Sequence, residues 1–118
     1  MVFLRASAEI ERVKKVGRRV QTPTFNLQFC PAHPPLSGQS AALRGARVGI
    51  VVGKRLGTAV LRNRAKRIFR ELARHVGRRL AAGRDLVVFP KRDSLAMRHD
   101  ELRNVWISVL EREGLLVK

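Results

Sequence analysis

The sequence predicts an α+β fold in which a small sheet is layered against helices, and three observations lead there. Apolar residues recur at helical spacing in three segments, and they alternate or run continuously in three others. The two kinds follow one another as helix, strand, strand, helix, strand, helix. At 118 residues the chain is one domain by size, with room for a modest core.

Ser7 is placed to cap a first helix running to about Val16, with Ile10 and Val13 facing inward and Glu9 and Glu11 favourably near its N-terminus. Gly17 ends it. From Arg18 to Cys30 the alternation of Phe25, Leu27 and Phe29 with Thr24, Asn26 and Gln28 predicts a strand with one core face and one polar face. Residues 31–46 include Pro31, Pro34 and Pro35 without periodicity, so a flexible loop is expected there. Val48, Ile50, Val51 and Val52 mark a second strand over Arg47–Gly53.

The next helix begins near Thr58. Advancing 100° per residue puts Leu61, Ala65, Ile68, Phe69, Leu72 and Val76 on one arc, the core-facing side. Arg62, Lys66, Arg67, Arg70 and Arg74 fall on the remaining surface, with Arg64 and Glu71 together on the other flank. Opposite charges at i,i+4 stabilise a helix by roughly 0.2–0.5 kcal/mol and like charges cost about as much. Here Arg62/Lys66, Lys66/Arg70 and Arg70/Arg74 all break that rule, which points to anions supplied from outside the chain. Leu86–Phe89 then reads as a buried strand stopped by Pro90. A last helix opens between Ser94 and Arg98, buries Leu102, Val105, Trp106, Val109 and Leu110, and meets Gly114.

A net charge of +16 directs the chain toward a polyanion such as nucleic acid. A membrane role is disfavoured, because no run of 18 apolar residues exists and the N-terminal residues lack the apolar stretch of a secretory signal; a cytoplasmic location is expected. Cys30 is alone, so it forms no internal disulfide, and no Cys/His spacing resembles a zinc site. His33, His75, His99, Asp85, Asp93 and Asp100 show no spacing for acid–base work and are read as surface residues, so no catalytic or metal-binding residue is assigned. Gly49–Lys54 falls short of a phosphate-binding loop.

The string VGIVVGKRLGTAVLRNRAKRIFRE, with ERVKKVGRR before it and GRDLVVFP after it, resembles the bacterial ribonuclease P protein family over roughly Glu9 to Leu110. An RNR cluster alone is a weak signal in a basic protein. Small residues at Gly57 and Ala59, an asparagine between two arginines and a trailing basic pair make the combination specific. The resemblance implies a two-layer α–β sandwich like the second domain of ribosomal protein S5. It also implies a left-handed crossover around the RNR helix, against the usual handedness of such connections.

It further implies a protein that assists a catalytic RNA in removing the 5′ leader of precursor tRNA, an endonucleolytic hydrolysis in which the protein makes and breaks no bond. Magnesium would belong to the RNA. By similarity Arg62, Asn63, Arg64, Lys66, Arg67 and Arg70 would meet the catalytic RNA, with Lys54 and Arg55 at the start of the helix. Arginine forks grip phosphate oxygens in pairs, and a helix N-terminus adds free amide donors. Two positions have plainer structural readings: Asn63 as a brace for the first turn, and Arg64 as a stem packed along the core rim.

The family's second surface, a cleft for the single-stranded leader, would involve Ile10, Lys14, Asn26 and Gln28, with Phe25 an additional candidate. Many relatives carry an aromatic where Ile10 stands, and this chain has no tyrosine, so base stacking is expected to be weak there. Phe25, Leu27 and Phe29 also suit a plain core role. Two competing classes are a small basic ribosomal or other structured-RNA-binding protein and a DNA-binding module. The second is disfavoured because no helix pair is spaced for helix-turn-helix docking.

Overall fold

The computed structural model describes residues 1–32 and 45–117. Its elements are β1 (Val2–Phe3), α1 (Ser7–Val16), β2 (Arg18–Gln21), β3 (Phe25–Pro31), β4 (Arg47–Ile50), α2 (Ala59–Val76), β5 (Arg84–Pro90) and α3 (His99–Arg112). Short 3-10 turns occupy Lys54–Leu56, Gly77–Arg79 and Arg92–Ala96. The strands form one sheet in the order β1-β4-β5-β3-β2, with β4 parallel to β1 and β5 and the remaining pairs antiparallel. The α+β layering predicted from the sequence is therefore present, and α2 is the crossover between the adjacent parallel strands β4 and β5.

Several elements differ from expectation. Ser7 is the first residue of α1 rather than its cap; Ala6 holds the cap position and no side chain bonds there. β4 ends at Ile50, short of the expected Gly53. The single strand expected over Arg18–Cys30 is a hairpin, folded at Thr22–Thr24, where the Thr22 hydroxyl donates to the Phe25 carbonyl at 2.5 Å and accepts from the Phe25 amide at 3.0 Å. A hydroxyl can organise a turn without the Asn-Gly or Asp-Gly pairs that announce one. The two-residue β1 is too short to leave a periodic signal, and it lies on the sheet edge against β4. The loop expected over 31–46 falls mostly outside the described residues; Pro31 itself closes β3.

The main core lies between one sheet face and helices α2 and α3. Phe25, Phe69 and Trp106 meet edge-to-face with centroids 5.5–6.1 Å apart, and the Trp106 indole donates to the Leu72 carbonyl at 3.1 Å. Leu72, Val76, Leu86, Leu102 and Leu110 complete it. Val105, expected among the buried residues of α3, is half-buried at its margin.

On the opposite face α1 covers only part of the sheet. A small cluster of Leu4, Val13, Cys30 and Val87, with Ile10 packed against it, fixes α1 there. A Cβ added at Gly49 would stand 3.3 Å from Leu4, a tight fit, and 3.5 Å from Ile10 of α1, an ordinary contact. The rest of that face is left open, and apart from Phe89 its strand positions are polar.

Candidate nucleic-acid interface

α2 starts where the sequence places it. Thr58 is the N-cap and accepts from the Leu61 amide at 3.3 Å. Gly57 before it has φ 144°, and a side chain there would meet Leu61 Cδ1 at 2.8 Å, so the approach to the helix requires glycine. The buried stripe is Ala65, Phe69, Leu72, Ala73 and Val76. This fixes the rotation of the helix and turns Asn63, Arg64, Arg67, Arg70 and Arg74 outward, with Arg62 and Lys66 half-buried along one edge.

The two plainer readings of this helix fail. Thr58 caps the first turn, while Asn63 is exposed and its side chain makes no hydrogen bond among the described residues. Arg64 is exposed too; Arg62 is the residue that lies against the protein, its Nε enclosed without a hydrogen-bond partner among the described residues. Lys54 and Arg55 are exposed on the turn preceding α2.

Six of the nine acids are engaged elsewhere, and Glu71, exposed on α2 itself, forms no ion pair with its arginines among the described residues. Glu9 and Asp85 engage Arg47, Asp85 also engages Arg12, Glu11 pairs with Lys14, Glu111 with Arg79, Glu113 with Arg18 and Arg112, and Asp100 with Arg98. Among the described residues no carboxylate lies within ion-pair distance of Lys54, Arg55, Arg62, Arg64, Lys66, Arg67 or Arg70. The like-charge pattern seen in the sequence therefore survives folding as an uncompensated cationic face, which suits a phosphate backbone.

Asp85, read from the sequence as a surface residue, is instead completely buried. Arg47 clasps it in a two-pronged bond, Nε to Oδ1 at 2.8 Å and Nη2 to Oδ2 at 2.7 Å, and reaches Glu9 of α1 with Nη1 at 2.8 Å. Arg12 of α1 approaches the same carboxylate at 3.5 Å and donates to the Pro31 carbonyl at 2.8 Å. The hydrogen bond to Asp85 is the leading reason the Arg47 pKa is raised above its ordinary value, ahead of the opposing effect of burial. Burial likewise pushes the Cys30 thiol up, outweighing the nearby Arg12. This cluster ties α1 to β4 and β5.

Beside α1, on the open part of the sheet, lies a groove of about 200 Å³. Lys14, Asn26 and Gln28 line it, as the resemblance implies, and the Gln28 amide donates to the Lys14 carbonyl at 3.1 Å. Two candidates do not. Phe25 points to the other face and is fully buried against Phe69 and Trp106, because odd-numbered residues of β3 face the core. Ile10 is turned down onto Gly49 and Val87 and belongs to the apolar cluster under α1. Arg19, Gln21 and Phe89 line the groove and were missed. Their signal was strand alternation: Phe89 pairs with Asn26, and Arg19 with Gln28, but these registers appear only once the strands are aligned.

This geometry can be set beside known proteins. The family model described as Ribonuclease P matches residues 2–114. The chain belongs to this family. It is 33% identical over 69 residues to the ribonuclease P protein component of Bacillus cereus strain B4264, an alignment covering 58% of this chain and 60% of that protein. The same values relate it to the component from Bacillus mycoides. It thus spans less than two thirds of the length of these curated relatives. The solved RNase P protein of Staphylococcus aureus superposes with a TM-score of 0.78 at 26% identity, over 96% of this chain and 95% of that one. The RNase P protein from Thermotoga maritima gives 0.76 at 26% identity, over 92% and 94%.

Proposed function

We propose that this chain is the protein subunit of ribonuclease P, binding the catalytic RNA through the α2 face and the 5′ leader of precursor tRNA along the groove beside α1. The observation that carries the reading is the row of cations on α2 for which the fold provides no internal counter-charge. The role in tRNA 5′ processing and a cytoplasmic location both follow from membership of the family in this reading. No helix among the described residues is long and apolar enough to cross a membrane.

In this reading the endoribonuclease is the assembled ribonucleoprotein, and its hydrolytic chemistry resides in the RNA. Among the described residues no group of three or more His, Cys, Asp or Glu could hold a metal ion, and the buried Asp85 carboxylate is neutralised by Arg47 and Arg12. These residues do not suit a magnesium cage. The assignment of magnesium to the RNA rests on the family resemblance. The protein's own work is electrostatic and positional. Arg62, Arg64, Lys66, Arg67 and Arg70, with Lys54 and Arg55, neutralise phosphates and release counterions. Lys14, Asn26 and Gln28 hold the leader strand.

Reconstitution tests this. Purified chain added to the catalytic RNA at low magnesium should restore cleavage of precursor tRNA, with affinity for the RNA falling by a log–log salt slope of about −0.7 to −0.9 per phosphate contact. A small basic ribosomal protein would give the salt slope without the restored cleavage. Absence of both would remove the proposal altogether.

A further inference from the structure

Phe89 is an aromatic ring placed where the fold does not require one. It lies in β5 directly across from Asn26 of β3, on the sheet face that α1 leaves open, and is only half-buried. One flank touches the apolar cluster under α1, while the other lines the groove. The Lys14 ammonium stands 6.0 Å from its centroid and is shared with Glu11 at 3.3 Å. Arg19 on β2 supplies a second cation, exposed and without an acid partner among the described residues. The Asn26 Oδ1 is enclosed and has no hydrogen-bond partner among the described residues, whereas the Gln28 amide is already committed to Lys14.

We infer that Phe89 is the stacking seat for one unpaired nucleobase of the leader, with Lys14 and Arg19 taking its flanking phosphates and Asn26 meeting the polar edge of the base. The inference rests on the function proposed above and adds a residue to it. The chemistry of the groove favours this occupant over others. No carboxylate lines it, so an apolar ligand would leave Arg19 unanswered, and a small anion would leave the ring unused. At about 200 Å³ the groove is of a size to admit a base. Stacking on a single ring is sequence-tolerant, which suits leaders of differing sequence.

The test uses the full chain assembled with the catalytic RNA and compares wild type with Phe89→Leu, which keeps the apolar cover but removes the π face. Affinities are measured for mature tRNA, for precursor tRNA with an intact leader, and for precursors carrying one abasic nucleotide at successive leader positions. Phe89→Leu should weaken binding of the intact precursor by at least about five-fold and leave mature tRNA and RNA assembly unchanged. One abasic position should cost wild type a similar factor and cost the variant nothing further. Unchanged precursor affinity, an equal loss on mature tRNA, or abasic losses that simply add at every position would each overturn the seat.

Should Phe89→Leu fail to fold, Arg19→Gln decides, because the side chain is exposed. It should weaken leader binding and reduce the salt slope by about 0.7 without affecting mature tRNA, and an unchanged affinity and slope would reject the arrangement. A wild-type complex with no preference for leader-bearing tRNA overturns the proposed function as well. A preference that survives Phe89→Leu overturns only the seat.

Discussion

Arginine serves two opposite ends in this molecule, and the contrast between the β4–α1 junction and the α2 surface shows what separates them. Arg47 and Arg12 meet a carboxylate with no solvent exposure and are turned into structural ties. On α2, Arg62, Arg64, Arg67 and Arg70 meet no carboxylate among the described residues and remain available to an external anion. Arginine content alone therefore says little about RNA contact. The positions of a few acids, Asp85 and Glu9 above all, decide which cations are committed inside the fold.

The sharpest way to break this contrast is to remove the acid at its centre. Asp85→Ala leaves Arg47 and Arg12 facing a space without a counter-charge and should cost about 3–5 kcal/mol, read as a lowered denaturation midpoint. A midpoint within error of wild type would mean the junction carries no structural load. Next comes Gly57, which sets the direction of the chain into α2. Gly57→Ala should cost about 1–3 kcal/mol because the backbone is in a region that L side chains rarely adopt and the new methyl meets Leu61. Equal stability would show that the turn relaxes freely.

The smallest effect on stability belongs to the cationic face itself. Arg62→Ala with Arg64→Ala should change the denaturation midpoint by an amount equivalent to no more than about 0.5 kcal/mol for the exposed Arg64 and about 1 kcal/mol for the half-buried Arg62, while assembly with the catalytic RNA weakens and the salt slope becomes shallower by about 1.4–1.8 for two lost phosphate contacts. Wild-type assembly by this double variant would take both arginines out of the interface, and a large loss of stability would erase the distinction between the two regions.

Much of this could be read from the chain because α2 is governed by local rules. Its stripe from Ala65 to Val76 and its start near Thr58 follow from spacing along one continuous segment, and its basic face follows from helical geometry; Gly57 was singled out only through the resemblance. The junction could not be read that way. Arg47 and Arg12 are 38 and 73 residues from Asp85, and nothing in an isolated Asp announces partners so distant. The groove was intermediate: Lys14, Asn26 and Gln28 were found through the resemblance, whereas Phe89 and Arg19 depended on strand register. Phe25 and Ile10 were misplaced because deciding which sheet face a residue joins needs the third dimension.

The strand order has a consequence for how the molecule comes into being. β5 is the last strand in the chain yet sits in the middle of the sheet, joining the parallel half, β1 and β4, to the antiparallel hairpin of β2 and β3. During synthesis the two halves have no common partner until Pro90 has left the ribosome. The crossover helix with its cations is therefore synthesised before the sheet beneath it can close, and closure of the whole sheet is expected to come late.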